Sequence, residues 1–202
     1  MTGRTTPARR RADAERNIAA ILDAATRLLS TDPDASTADI AQAAGVGRVT
    51  LYGHFPSRQS LVEAVLEHTI TVAGATIDDR ELRGLPAPEA LARLVRSSWE
   101  ILDRHGRLYS AAARALPPEL IRAHHDPVLV RIENLIDRGR HDGDFRTDLP
   151  VSWLVATFYS TLHNAAQEAG AGRLPDPAPV LTATLLSLLL PPSDPRSRLS
   201  SS

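Results

Sequence analysis

The sequence contains no cysteine and no lysine, and aromatic residues make up only 4% of its 202 positions. Without cysteine there is no disulfide frame, no thiolate nucleophile and no sulfur-ligated metal site. That fits a reducing compartment. All 23 basic residues are arginines, which with abundant alanine and proline we read as the mark of a GC-rich genome rather than of function. No apolar run approaches the roughly 18 residues that cross a bilayer, since LLSLLL at 185–190 stops at Pro191. The start, MTGRTTPARRR, is basic, but Asp13, Glu15 and Arg16 follow where an export signal needs an apolar stretch. The chain is therefore expected to be soluble and cytoplasmic, with no membrane partner. It also lacks a nucleophile elbow, a phosphate loop and any paired-carboxylate spacing, so neither an enzyme nor a bound cofactor is expected.

What is present is a globular composition with an uneven charge. Apolar residues reach 43%, enough for a sizeable core. The net charge of -1 hides eight arginines against six acids in residues 1–60, and fifteen against eighteen in the remainder. No acid occurs between Asp39 and Glu63, and Arg4, Arg9, Arg10 and Arg11 stand in an acid-free leader. Such local basic stretches suit a polyanionic partner.

The periodicity is helical throughout. Ile18, Ile21, Leu22, Ala25, Leu28 and Leu29 fall on one face of a first helix, which TDPDA at 31–35 breaks. Ser36 then fits an N-cap with Asp39 placed to complete a capping box. The helix it opens ends at Gly45, the residue best able to take a left-handed turn. A third helix of about two turns carries Leu51 and Phe55 inward until Pro56 stops it, and Ser57 caps a fourth that runs to about Thr76. GLPAP at 84–88 reads as a loop. Helices are expected near 89–105 and 107–116, with a short segment from Pro117-Pro118. Asp126-Pro127 reads as a restart, a cap followed by proline at the first helical position. HDGDFRTDLP at 141–150 is a break, and helices over 151–169 and 178–190 precede a Pro/Ser/Arg tail expected to be disordered. Nothing reads as a strand. The fold class is all-α.

Two short helices joined by a glycine turn, the second polar and free of acids, are how a chain builds a probe for the DNA major groove. Ile40, Ala41, Ala44, Val46 and Leu51 form the packing side. That leaves Arg48, Val49, Thr50, Tyr52 and His54 facing out. Arg48 can donate two hydrogen bonds to guanine, and Val49 can touch a thymine methyl. Thr50, Tyr52, His54 and Arg58 suit phosphate oxygens, as does Thr37 at the start of the preceding helix. Ala38 and Gly53 offer little, so base reading is expected to rest on Arg48.

The run AAGVGRVTLYGHFPSRQSL resembles the DNA-binding head of the TetR (tetracycline-repressor-like) family of bacterial transcriptional regulators. The residues that carry the likeness are Thr37, Ile40-Ala41, Ala43-Ala44-Gly45-Val46, Thr50-Leu51-Tyr52, His54-Phe55, Ser57-Arg58 and Leu61. The resemblance covers residues 12–66 and implies four parts. These are a basic arm over 1–11, a three-helix helix-turn-helix domain over 12–56, a larger helical effector-binding and dimerisation domain over 57–190, and the tail over 191–202. It implies a homodimer on a palindromic double-stranded operator, a repressor released by a small-molecule effector. Leu154, Val155, Phe158 and Leu162 on one helix, with Leu181, Leu185 and Leu188 on the next, are the expected dimer interface. His68, Trp99, His105, Tyr109, His124, Tyr159 and His163 are the candidates for lining an effector pocket. His124-His125 side chains diverge by about 100° on a helix, so no metal site is expected there. The competing reading is a helical small-molecule-binding protein or enzyme that kept the head but lost operator binding.

Overall fold

The computed structural model describes residues 7–75 and 79–192. Among them are nine α-helices and no strand: α1 Pro7–Thr31, α2 Thr37–Ala43, α3 Arg48–His54, α4 Arg58–Ala75, α5 Asp79–Gly84, α6 Ala87–Ala115, α7 Pro118–His141, α8 Val151–Gly170 and α9 Pro177–Leu189. The all-α expectation holds. The chain divides into two compact units, one holding the residues up to Gly74 with Arg104–His125, the other Ala75–Asp103 with the residues from Asp126 onward.

In the first unit, Ile21, Ala25 and Leu29 of α1 are fully buried against Ile40, Leu51, Leu61, Val62, Val65 and Leu66. Leu108, Ala112, Leu116 and Ile121 close the same core. The expected boundary after residue 56 therefore does not separate two cores. The stripe of α4 and the far part of α6 pack into the helix-turn-helix head, because α1 with the two short helices α2 and α3 buries too little apolar surface to stand alone.

The second unit is built on Leu91, Leu94 and Val95 of α6, Ile132 and Ile136 of α7, and the inner faces of α8 and α9. Phe145, in the turn-rich break at 141–150, is 2% exposed and plugs this core. Its ring lies so close to Gly139 that a Cβ there would stand 2.2 Å from Phe145 Cδ2. The connection after α7 folds back with Gly143 at φ 82°, and the backbone N–H of Arg146 donates to the Leu189 carbonyl at 2.8 Å, tying it to the end of α9.

Several boundaries differ from the sequence reading. Pro7–Arg11, expected as arm, belong to α1, while residues 1–6 and the tail from 193 lie outside the described residues. Residues 87–115 form one helix rather than two, because Gly106 lowers helix propensity without forcing a break. Likewise α7 runs through Pro127. Asp126 is thus no cap, and the proline costs an internal hydrogen bond without ending the helix. The short α5 lies where the sequence pattern marks no element.

Candidate nucleic-acid interface

The turn of the helix-turn-helix is made as its residues dictate. Ser36 and Asp39 form a reciprocal capping box at the start of α2, with the Asp39 backbone N–H donating to Ser36 Oγ and the Ser36 N–H donating to the Asp39 carboxylate, both at 3.2 Å. The Ser36 hydroxyl adds a 2.6 Å bond to the same carboxylate. The Ser36 hydroxyl, then its backbone N–H, and last the charge of Arg48 hold the Asp39 carboxyl below the ordinary carboxylate range. At the other end, Gly45 takes φ 68°. Its N–H bonds the Gln42 carbonyl while the Val46 N–H bonds that of Ala41, the paired arrangement of a Schellman motif. Phe55, extended and followed by Pro56, stops α3.

With its direction set by that turn, α3 buries Leu51 completely and leaves Val49 88% exposed. Arg48 is also exposed; Thr50 and His54 are half-buried. Tyr52, 46% exposed, shares a 3.0 Å hydrogen bond between its phenol and the Thr37 hydroxyl. Two of the predicted phosphate-facing groups are therefore joined across α2 and α3, which fixes their spacing before any partner arrives. Gly53 opens onto free space, with nothing within 4 Å of where a Cβ would lie.

Arg58 is the exception among the predicted contacts. Its guanidinium donates to the carbonyls of Ala35 at 2.5 Å and Pro33 at 3.0 Å, in a part-buried site. It braces the α1–α2 connection. That connection turns by aspartate chemistry: the Asp34 N–H donates to Asp32 Oδ1 at 2.9 Å and the Ala35 N–H to the Asp32 carbonyl at 3.1 Å. Two further arginines grip it from α6. Arg107 donates to the Thr31 carbonyl at 2.5 Å, and Arg114 pairs with Asp34 at 3.1 Å. These contacts span 76 and 80 positions, so no local spacing in the sequence announces them.

The candidate pocket residues divide between the two units. His68, His105, Tyr109 and His124 belong to the first unit, whereas Trp99, Tyr159 and His163 belong to the second. His68 lies 3.9 Å from Asp23, and His124 3.5 Å from Glu63. His105 shares a 3.2 Å hydrogen bond with Ser30; burial, then the charge of Arg104, lowers its pKa. Tyr109 packs against the first core and Trp99 against the second. Tyr159 and His163 stack with ring centres 4.1 Å apart, and His163 Nδ1 lies 2.8 Å from the Tyr159 carbonyl. His125, by contrast with His124, turns its Nδ1 to the Ile121 carbonyl at 2.8 Å.

The residues expected at a dimer interface lie in the second core. Leu154, Val155, Phe158, Leu162, Leu181 and Leu185 are buried within the single chain, and Leu188 packs against the same core. Trp153 of α8, 59% exposed, and Val180 of α9, 47% exposed, are the large apolar groups left facing out.

A short helix set by a glycine turn, anchored by one buried leucine and presenting Arg48 and Val49 to solvent, defines a helix-turn-helix DNA-binding protein. Residues 21–65 match the model for bacterial regulatory proteins of the tetR family. The HTH-type transcriptional repressor LfrR of Mycolicibacterium smegmatis is 32% identical over 161 residues, which is 80% of this chain and 82% of that protein. The HTH-type transcriptional regulator EthR of the same organism is 30% identical over 85% of this chain and 70% of its own. A crystal structure of LfrR in complex with proflavine superposes with a TM-score of 0.62 at 28% identity, covering 86% of this chain and 93% of that one. The chain belongs to the TetR family and is a DNA-binding transcriptional regulator.

Proposed function

We infer that the protein is a cytoplasmic, homodimeric repressor that leaves a near-palindromic operator when a small molecule binds its second unit, and that it catalyses no reaction. The observation that carries this reading is the outward face of α3, where Val49 and Arg48 are solvent-exposed on a helix whose Leu51 is wholly buried. Arg48 serves as the guanine reader and Val49 as a thymine-methyl contact, with Thr50, His54 and the linked pair Thr37–Tyr52 setting register on phosphates. The naming of LfrR as a repressor supports the sign of regulation, and its complex with proflavine supports a small-molecule effector. Since the leucine stripes of α8 and α9 are consumed within the chain, the dimer contact passes to their outer faces, around Trp153 and Val180. Among the described residues no helix is long and apolar enough to cross a membrane, in keeping with a cytoplasmic regulator.

Footprinting on the DNA that flanks its own coding region tests the reading. The expected result is two protected half-sites about one helical turn, roughly 34 Å, apart, with protection that weakens as salt rises. Uniform, sequence-independent protection, or none at low salt, sinks it.

A further inference from the structure

The second unit contains a cleft that none of the sequence-derived pocket candidates lines. Arg131, Asn134, Leu135 and Arg138 stand three, four and seven positions apart on α7 and so share one helix face. Leu82 and Arg83 of α5 and Leu94 of α6 form the facing wall. The space they enclose is about 310 Å³, at the small end of the roughly 300–1,000 Å³ typical of ligand pockets. Three leucines supply an apolar floor, and the charged lining is three arginines with no acid.

Two of these arginines, Arg83 and Arg138, meet no acid among the described residues. Arg138 donates to the carbonyls of Leu82 at 3.0 Å and Leu85 at 3.1 Å, both neutral, while its Nε is enclosed without a hydrogen-bond partner. Arg83 is exposed and forms no ion pair among the described residues. Nearby Glu81 is engaged by Arg93 at 2.7 Å, and Glu133 and Asp137 are exposed and do not line the cleft. A part-buried cation without a counter-ion costs free energy that an incoming anion recovers. Arg83, whose fork is uncommitted among the described residues, suits a bidentate pair with a carboxylate.

We propose that this cleft is the effector site and that it takes a small amphipathic carboxylate, its head between Arg83 and Arg138 and its hydrocarbon across Leu82, Leu94 and Leu135. The proposal rests on the regulator reading for the word effector, but the binding itself is measured without DNA. Titration calorimetry of the full chain with decanoate, decan-1-ol and decylamine separates charge from chain length. Decanoate is expected to bind at one site per chain, decanol at least about tenfold more weakly, and decylamine not at all. Arg83→Met is expected to weaken decanoate at least about tenfold with an unchanged thermal melt. Asn134→Phe, which fills the cleft from an exposed position, is expected to abolish binding. Arg138→Met also removes the brace on α5, so the two former variants carry the test.

Equal binding of decanol and decanoate, wild-type affinity in both variants, or no heat with decanoate overturns the assignment. Loss of operator protection in footprinting would instead sink the regulator reading and leave the cleft standing.

Discussion

Replacing Arg58 by Met distinguishes a phosphate contact from a structural brace, because the two roles move different quantities. Met keeps most of the aliphatic stem but removes both guanidinium bonds to Pro33 and Ala35. Each bond from a charged donor contributes on the order of 1.5–3 kcal/mol when its partner is left unsatisfied. The freed carbonyls belong to half-buried Pro33 and buried Ala35, beside exposed Asp32 and Asp34, so water recovers only part of the loss and the net cost is about 2 kcal/mol. For a chain of this size that corresponds to a fall in Tm of roughly 4–8 °C. The companion measurement is the slope of log affinity against log salt on a DNA fragment carrying the protected half-sites. A brace leaves that slope unchanged, whereas removing a cation that neutralises one phosphate lowers its magnitude by about 0.9. An unchanged Tm with a reduced slope would refute the assignment of Arg58 to the α1–α2 connection.

Gly139→Ala is expected to destabilise the second unit by about 1–3 kcal/mol, since the new methyl meets the Phe145 ring; an unchanged urea midpoint would mean that the ring yields freely. Gly53→Ala meets nothing and should stabilise α3 by up to about 1 kcal/mol, read as a rise in Tm without loss of DNA binding. Acid should weaken the first unit in two stages. His105, whose folded pKa is depressed chiefly by burial, contributes stability above about pH 6.5 that is lost as pH falls through its folded value. Asp39, held low chiefly by Ser36, keeps its contribution above about pH 4 and loses it as pH falls from there through its own lowered value. Urea midpoints between pH 8 and 3 in the wild type, His105→Asn and Asp39→Asn check both stages, each variant flattening its own window.

How far the fold and the site can be read in the sequence depends on the range of the interaction. The capping box at Ser36, the left-handed turn at Gly45 and the stop at Pro56 are decided by residues within a few positions of one another, and they stand where the sequence puts them. Gly106 and Pro127 carry equally local signals, yet packing on both sides outweighs a loss of about 1 kcal/mol for the glycine and about 3 kcal/mol for the proline, so α6 and α7 continue. Arg58 is open to two readings in sequence, because a cation near a helix-turn-helix serves a phosphate or a carbonyl equally well by charge alone. Only the folded loop of Asp32 and Pro33 brings the carbonyls to it. The leucines of α8 and α9 show the same limit. A stripe establishes that a face is buried and does not say whether the neighbour is the same chain or another.

Base reading by the outward face of α3 through Arg48 is tested most directly by fluorescence anisotropy of wild type and Arg48→Ala on the protected fragment and on variants changed one base pair at a time. The expected result is a loss of about 1–3 kcal/mol with relaxed discrimination at one position in each half-site. An equal loss on every sequence, with the salt slope reduced, would make Arg48 a phosphate clamp and contradict the account.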